Sequence, residues 1–397
     1  MPLLRWADRL AARHDDLART ITRATGKPLL LSRIEVDRAI NLLRATHTHA
    51  QTFLAPRDVD LGQGSRATIH RVPIGPVLAI SPFNFPLMLA LHKLAPAIAA
   101  GCPATWKPSP KAPGVAELAL ELLDGAGVEL VHWDNDETLR RAADPAWGLV
   151  SFTGSVAVGN LLKTACPSRL ILELGGNAAV VLHQVADVLA MARTVATGAC
   201  TNAGQACISV QRIFLPADRP DWQSALVAAF CAVPTGDPWD PTTICGPVID
   251  APAKARITAL LEGYQARGGR ILCGGTWDGL VLAPTLVAGL PAVDPGICAQ
   301  EVFAPIATLH PYTDLGTALA EVDATPFGLQ AGLYTQDPAV VDRAFARLQV
   351  GGLVINDVPT RRDDRLPYGG FRDSGTGREG AWCSVEDYTT TKVLYCP

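Results

Sequence analysis

One cysteine in this chain is spelled for chemistry. Cys207 lies in the stretch 201–212, TNAGQACISVQR, among small and polar residues, after a helix-like run over 188–200 and before the apolar run 213–215. A thiol in such a turn is open to approach, and its thiolate attacks carbonyl carbon well. Lone cysteines are more often inert core residues, so the local spelling leaves both readings open. Glu173 closes the apolar run LILEL, where a buried carboxylate is costly unless it has a task or pairs with backbone donors. Asn84, two places before Pro86 in SPFNFP, reads on its own as a turn residue.

Such groups need a frame. From Pro76 onward, short apolar runs alternate with helical stretches: PVLAIS, 87–100, PATWK, 115–123, GLVSF, 156–164 and LILEL. Strand and helix in turn predict a parallel sheet covered on both faces, with ligands gathered at the carboxyl ends of its strands. SPFNFP, WKPSP and FTGSVAVG all fall at such ends, so the three loops are expected to converge. A change of domain is expected near the Gly175-Gly176-Asn177 turn, and the alternation then resumes with helices over 188–200, 221–232, 251–267, 316–322 and 340–348. Ahead of the sheet, Trp6, Leu10, Leu17 and Ile21 share one face of a helix over 3–25, stopped by Gly26-Lys27-Pro28, and a second helix is expected over 33–47. The polar stretch 56–73, with Gly62 and Gly64, suits an exposed ribbon, and the strand-like tail TTTKVLYC is a candidate partner for it, within the chain or across a subunit interface.

The bulk properties narrow the class. A chain of 397 residues, 48% hydrophobic and 18% charged, is enough for two packed domains with sizeable cores. A net charge of -4 gives no footprint for nucleic acid. The apolar region 76–106 is broken by Asn84, His92, Lys93 and prolines and is not a membrane span, and charges at Arg5, Asp8 and Arg9 argue against a signal peptide. Ten scattered cysteines without a Cys-x-x-Cys pair point to no metal site and to a reducing, cytoplasmic setting.

Taken in order, SPFNFP, WKPSP, FTGSVAVG, LELGGN, NAGQAC, QEVFAPI and PYGGFRDSGTGREG resemble the aldehyde dehydrogenase superfamily along nearly the whole chain. The resemblance implies an α/β fold of that type: a Rossmann-like cofactor domain over 1–55 and 74–174, a catalytic domain over 175–378, and an oligomerisation ribbon from 56–73 and 385–397. It implies Cys207 as nucleophile, forming a thiohemiacetal and then a thioester. Asn84 and the Cys207 backbone N–H would be the oxyanion donors, and Glu173 the base that activates the hydrolytic water. Lys107, Gly154, Ser155, Gly159, Glu301 and Phe303 are implied as contacts to NAD or NADP. A homodimer or homotetramer is implied as well.

Three features depart from the family pattern. Pro110, followed by Lys111, stands where many relatives carry an acid that disfavours a 2′-phosphate, so NADP is expected to be tolerated or preferred. The stretch 124–141 looks short and poor in glycine, and Met1 falls where relatives already run their first long helix. The blocks INDVPTRRDD and PYGGFRDSGTGREG look most like the branch acting on lactaldehyde, phosphonoacetaldehyde or glyceraldehyde 3-phosphate, with Arg362 as a candidate ligand for an anionic group or else part of a solvated charged loop. Glu173 argues for release of a free acid over transfer to coenzyme A, and the joint presence of Cys207, Glu173 and Asn84 argues against a catalytically impaired structural or regulatory relative.

Overall fold

In the computed structural model, which describes residues 2–124 and 127–396, the chain begins with helices α1 (Leu3–Ala12), α2 (His14–Thr25) and α3 (Leu29–Phe53). The single helix expected over 3–25 is two, because Arg13 at φ -117°, ψ 27° leaves the helical region. Its apolar spacing still holds: Leu3, Trp6 and Leu10 of α1 and Leu17 and Ile21 of α2 are all buried. Gly26, at φ 71°, ends α2 as a left-handed cap. α3 overruns the expected 33–47 at both ends and is pinned to the sheet region by a charge. The Glu35 carboxylate pairs with buried Lys27 and accepts the backbone N–H groups of Leu87 (2.9 Å) and Met88 (3.1 Å) at the start of α4 (Met88–Ala100). Those N–H groups have no partner inside the helix, so Glu35 satisfies what burial would otherwise orphan.

The ribbon forms from β1 (Arg57–Gly62) and β2 (Ser65–Pro73), paired antiparallel. The tail strand Thr389–Cys396 lies antiparallel along the other side of β2, from Arg66 opposite Cys396 to Pro73 opposite Thr389. That pairing is made within one chain.

The first large sheet runs, in space, Gly375–Thr376, β7 (Arg169–Glu173), β6 (Leu149–Thr153), β3 (Val77–Ile80), β4 (Ala104–Lys107), β5 (Val128–Leu130). β3 to β7 are parallel, and every residue of β3 and β4 is buried, as strands covered on both faces require. Of the stretch 124–141, residues 125 and 126 lie outside the described residues, and most of the rest forms β5 and a helix over Asn135–Ala142. Chain order reverses between β3 and β6, which opens a crevice at their carboxyl ends. Register decides what lines it. Ile80 sits opposite both Lys107 and Phe152, so the loops after β3, β4 and β6 leave the sheet abreast.

The change of sheet falls at the Gly175-Gly176-Asn177 turn, after which Ala179–Leu182 joins a second sheet of seven strands. Its other strands are Arg270–Cys273, Thr285–Ala288, Ile306–Tyr312, Arg212–Pro216, Gln330–Tyr334 and Gly352–Ile355, and only the outermost pair, Arg270–Cys273 with Thr285–Ala288, is antiparallel. Near the end of the chain, Gly375–Thr376 returns to the first sheet beside β7, a long-range pairing inside the stretch assigned to the catalytic domain from sequence. Among the described residues no helix is long and apolar enough to cross a membrane.

Candidate active site

Cys207 is positioned by a strained turn. The helix Val188–Cys200 ends, and Asn202, Ala203 and Gly204 follow at φ 54°, 55° and 66°, all left-handed. Such values are uncommon for residues with a Cβ and persist only where the surroundings hold them. Here the Asn202 side chain donates to the Asn84 carbonyl (3.3 Å), and the Asn84 side chain donates to the Gln205 carbonyl (2.9 Å). The two loops are therefore stitched together in both directions. Glycine is needed where backbones meet: a Cβ on Gly176 would fall 2.1 Å from the Cys207 carbonyl oxygen, and one on Gly204 2.1 Å from that of Ala304.

Two cavities meet at the thiol. The larger, about 450 Å³, lies along the carboxyl ends of the first sheet and is lined by Ser81, Pro82 and Phe83, by Lys107, Ser109, Pro110 and Lys111, and by Thr153, Gly154 and Ser155, with Glu301 and Phe303 across from them. The three loops expected to converge do so. The smaller, about 140 Å³, is lined by α3 residues Leu31, Ile34, Glu35 and Arg38, by Glu173, and by Thr201, Thr360, Arg362, Tyr368 and Glu379. Asn84, Leu89, Thr153 and Cys207 belong to both walls.

Protein crowds the thiol although the cavities leave it partly accessible. Burial pushes Cys207 up to about 12, with its hydrogen bond to the Tyr368 hydroxyl (3.1 Å) working the other way. At rest the sulfur is a thiol. Glu173, next to Thr153 across β6 and β7, is buried with neither carboxyl oxygen hydrogen-bonded among the described residues, and burial, then nearby Glu379, raises its pKa well above the ordinary value. A carboxyl whose pKa is raised in this way is a strong base once ionised.

The larger cavity suits a dinucleotide. Lys107 is buried at the end of β4, and burial lowers its pKa; no protein group bonds its ammonium among the described residues. Ser155 caps the helix Val156–Ala165, accepting from the Val158 N–H, so that helix starts at the cavity with the positive end of its dipole. A Cβ on Gly159 would fall 2.6 Å from Leu174, which explains how closely this helix packs on the segment after β7. Glu301 accepts from the Gly176 N–H (3.1 Å), and burial pushes it up to about 7. Phe303, at φ 55°, meets Phe83 edge to face across 6.1 Å. Lys111 is not the free cation that the sequence suggested: it pairs with Asp250 at 2.7 Å.

Arg362 is likewise committed. Its guanidinium is buried against Glu379 (2.9 Å), Asp364 (3.1 Å) and the His92 ring (3.0 Å), and Asp364 also takes two hydrogen bonds from Arg38. Burial works against the charge, but Glu379, Tyr368 and Asp364 outweigh it and hold the proton more firmly. A substrate anion would have to share this guanidinium with the two carboxylates, meeting it from the smaller cavity that Arg362 lines at Nε and Nη1, which make no hydrogen bond among the described residues. The solvated-loop alternative fails for Arg362, since its side chain is 7% exposed.

Sequence reasoning missed Tyr368, Lys93 and Glu379. Lys93 donates to the Thr153 hydroxyl (2.6 Å) and lies 3.7 Å from Glu379, yet in the sequence it only interrupted an apolar region. The PYGG and REG spellings carried the other two without pointing to their contacts. Among the described residues no group of His, Cys, Asp and Glu is arranged to hold a metal.

A parallel sheet with its crevice at the switch point, joined to a second sheet that presents a thiol into that crevice, defines the class. The aldehyde dehydrogenase family model matches residues 2–394, and the chain belongs to that family of NAD(P)-dependent oxidoreductases. Among relatives, it is 32% identical to the 3-sulfolactaldehyde dehydrogenase of Priestia aryabhattai, over 99% of this chain and 84% of that one. Aldehyde dehydrogenase 21 of Physcomitrella patens, solved with its reaction product succinate, superposes with a TM-score of 0.95 at 32% identity, over 99% of this chain and 84% of that one. The glyceraldehyde-3-phosphate dehydrogenase GapN of Methanocaldococcus jannaschii, complexed with NADP, gives 0.94 at 28% identity over 99% and 88%.

Proposed function

We propose that this protein oxidises a short aldehyde carrying a hydroxyl or an acidic group to the carboxylic acid, through covalent intermediates on Cys207. The observation that carries the reading is the thiol's place on the shared wall of two cavities, one of about 450 Å³ along the strand ends of the first sheet and one of about 140 Å³, with a buried carboxyl in the second that has no hydrogen-bond partner among the described residues. Relatives named for 3-sulfolactaldehyde and glyceraldehyde 3-phosphate support the substrate class.

In this reading the Cys207 thiol gives its proton to solvent that reaches it through the cavities, and the thiolate attacks the aldehyde carbon held in the smaller cavity. The Asn84 side-chain amide, already oriented by Gln205, donates to the oxygen as it gains charge, worth roughly 2.7–4 kcal/mol in comparable sites. Bound NAD or NADP would supply the acceptor for the hydride that must leave the thiohemiacetal carbon to give the thioester. Lys107, Gly154 and Ser155 would hold its adenosine side, and Glu301 and Phe303 its nicotinamide side, with Gly159 allowing the helix its close approach. Glu173, once ionised, takes a proton from the water that cleaves the thioester. Arg362 enters as a buried brace for the cavity wall, its charge balanced by Glu379 and Asp364. With Lys111 tied to Asp250, the preference for NADP rests on the lack of an acid after Lys107, at Pro110. The three-stranded sheet of β1, β2 and Thr389–Cys396, which exposes Val393, Leu394 and Tyr395 and lies in the stretches 56–73 and 385–397 read from sequence as an oligomerisation ribbon, is our candidate for homodimer or homotetramer assembly.

The test is reduced-nicotinamide absorbance with purified protein, both cofactors, and short aldehydes that are anionic, hydroxylated or neutral. Turnover favouring anionic or hydroxylated substrates is the expected result. No turnover together with no cofactor binding overturns the proposal, and a strong dependence on added coenzyme A replaces hydrolysis with acyl transfer.

A further inference from the structure

The Tyr368 hydroxyl lies 3.1 Å from the Cys207 sulfur and has no other hydrogen-bond partner among the described residues. Its base is fixed, because Tyr368 and Glu379 exchange two backbone hydrogen bonds of 2.7 Å each. One face of its ring carries the Arg362 guanidinium, 3.7 Å from the centroid and itself held by Glu379 and Asp364. Ring and hydroxyl are thus aimed from behind. A thiol is a weak acceptor and a thiolate a strong one, so a phenol aimed at the sulfur favours the charged form. A cation over the ring draws electron density from it and makes the hydroxyl a better donor.

We infer that Tyr368 is a further catalytic residue, the hydrogen-bond donor that stabilises negative charge on the Cys207 sulfur both before attack and as the thioester breaks. This rests on the reading of Cys207 as nucleophile. When the sulfur is ionised, the phenol O–H donates to it. When the carbon–sulfur bond forms, the sulfur loses its charge and the hydrogen bond weakens. When water cleaves the thioester, the sulfur leaves with the bonding pair and the phenol meets the charge again. Arg362 is then a positioning residue that acts through the ring.

The direct test is alkylation of Cys207 by iodoacetamide across a pH series. The thiolate displaces iodide, and mass spectrometry of the peptide that contains Cys207 follows the reaction in wild type and Tyr368→Phe, without aldehyde. Losing a hydrogen bond to a charged acceptor raises the titration midpoint by about one unit. Below that midpoint the variant reacts roughly threefold more slowly, since a tenfold loss of thiolate is partly offset by its higher intrinsic reactivity. An equal or faster rate in Tyr368→Phe overturns the inference. 3-Fluorotyrosine at position 368 keeps the shape and strengthens the donor, so it must shift the rate the other way; no shift there is equally fatal, even if the phenylalanine variant folds poorly. Cys207→Ser separates the two claims. If that variant keeps full turnover, the nucleophile reading fails, while the alkylation series still reports on the contact between Tyr368 and Cys207.

Discussion

Replacing Glu173 by glutamine separates the two halves of the proposed reaction. Both carboxyl oxygens of Glu173 lack hydrogen-bond partners among the described residues, and burial disfavours its charged form, so an amide of the same shape breaks no hydrogen bond. The melting temperature of Glu173→Gln at neutral pH should therefore be no lower than that of wild type, and higher to the extent that the unfolded carboxyl ionises where the buried one resists it. Hydrolysis is another matter. A positioned general base contributes roughly 10²–10⁴-fold, or about 3–5 kcal/mol of barrier, and glutamine cannot accept the proton. Rapid mixing with aldehyde and cofactor should give a burst of about one reduced nicotinamide per active site, followed by a steady state slowed by that factor. The pH profile adds a sign. Glu173 must lose its proton to act, and its folded pKa lies well above the ordinary value, so wild-type kcat climbs with pH until that carboxyl is ionised, while the variant's slow rate lacks the climb. A variant that turns over within a few-fold of wild type with no burst would show that Glu173 is not the base.

Asn84→Ala should lower kcat roughly 10²–10³-fold while leaving the alkylation rate of Cys207 unchanged, because the donor acts on the developing oxyanion; a fall in both would mean that Asn84 acts only by shaping the loop it shares with Gln205. Glu301 makes a statement about stability. Its folded pKa of about 7 lies above the unfolded carboxylate value, so its contribution is fully present below about pH 4.5 and is lost as pH rises through 7, on the order of 3 kcal/mol. Urea unfolding at pH 5 and pH 8 without cofactor should show that loss in wild type and its removal in Glu301→Gln, and identical slopes would contradict it. Asp250→Asn keeps the cap of the helix Ala251–Ala266 but frees Lys111, so KM for NADP should fall roughly two- to fivefold more than KM for NAD; an equal change for both would remove Lys111 from the account of cofactor choice.

The sequence was most readable where periodicity and a family spelling agreed. The helix over 188–200, the ribbon, the tail that pairs with it and the convergence of the three loops were all legible, because each follows from local pattern or from the rule for strand ends in parallel sheets. What stayed hidden was long-range or cooperative. Nothing local at Gly375 or Thr376 marks a return to the first sheet beside β7, which depends on where the second sheet leaves the chain. The break at Arg13 left the apolar spacing intact and so gave no signal. Lys111 and Arg362 read as available cations because their partners, Asp250 and Glu379, are supplied by other segments of the chain. Tyr368 is hidden for the opposite reason: the PYGG spelling marks a family motif as a whole, and nothing in it gives a task to the hydroxyl that distinguishes Tyr368 from a phenylalanine.

The central claim is that carbon is transferred to one sulfur among ten. Acid-quenching Glu173→Gln during its burst, digesting it and fragmenting every cysteine-containing peptide, so that Cys200 and Cys207 of one peptide are told apart, locates that carbon directly. The account predicts an acyl mass on Cys207 and on no other cysteine, in an amount equal to the burst of reduced nicotinamide. A burst of that size with the acyl group on a different cysteine, or on none, would contradict it.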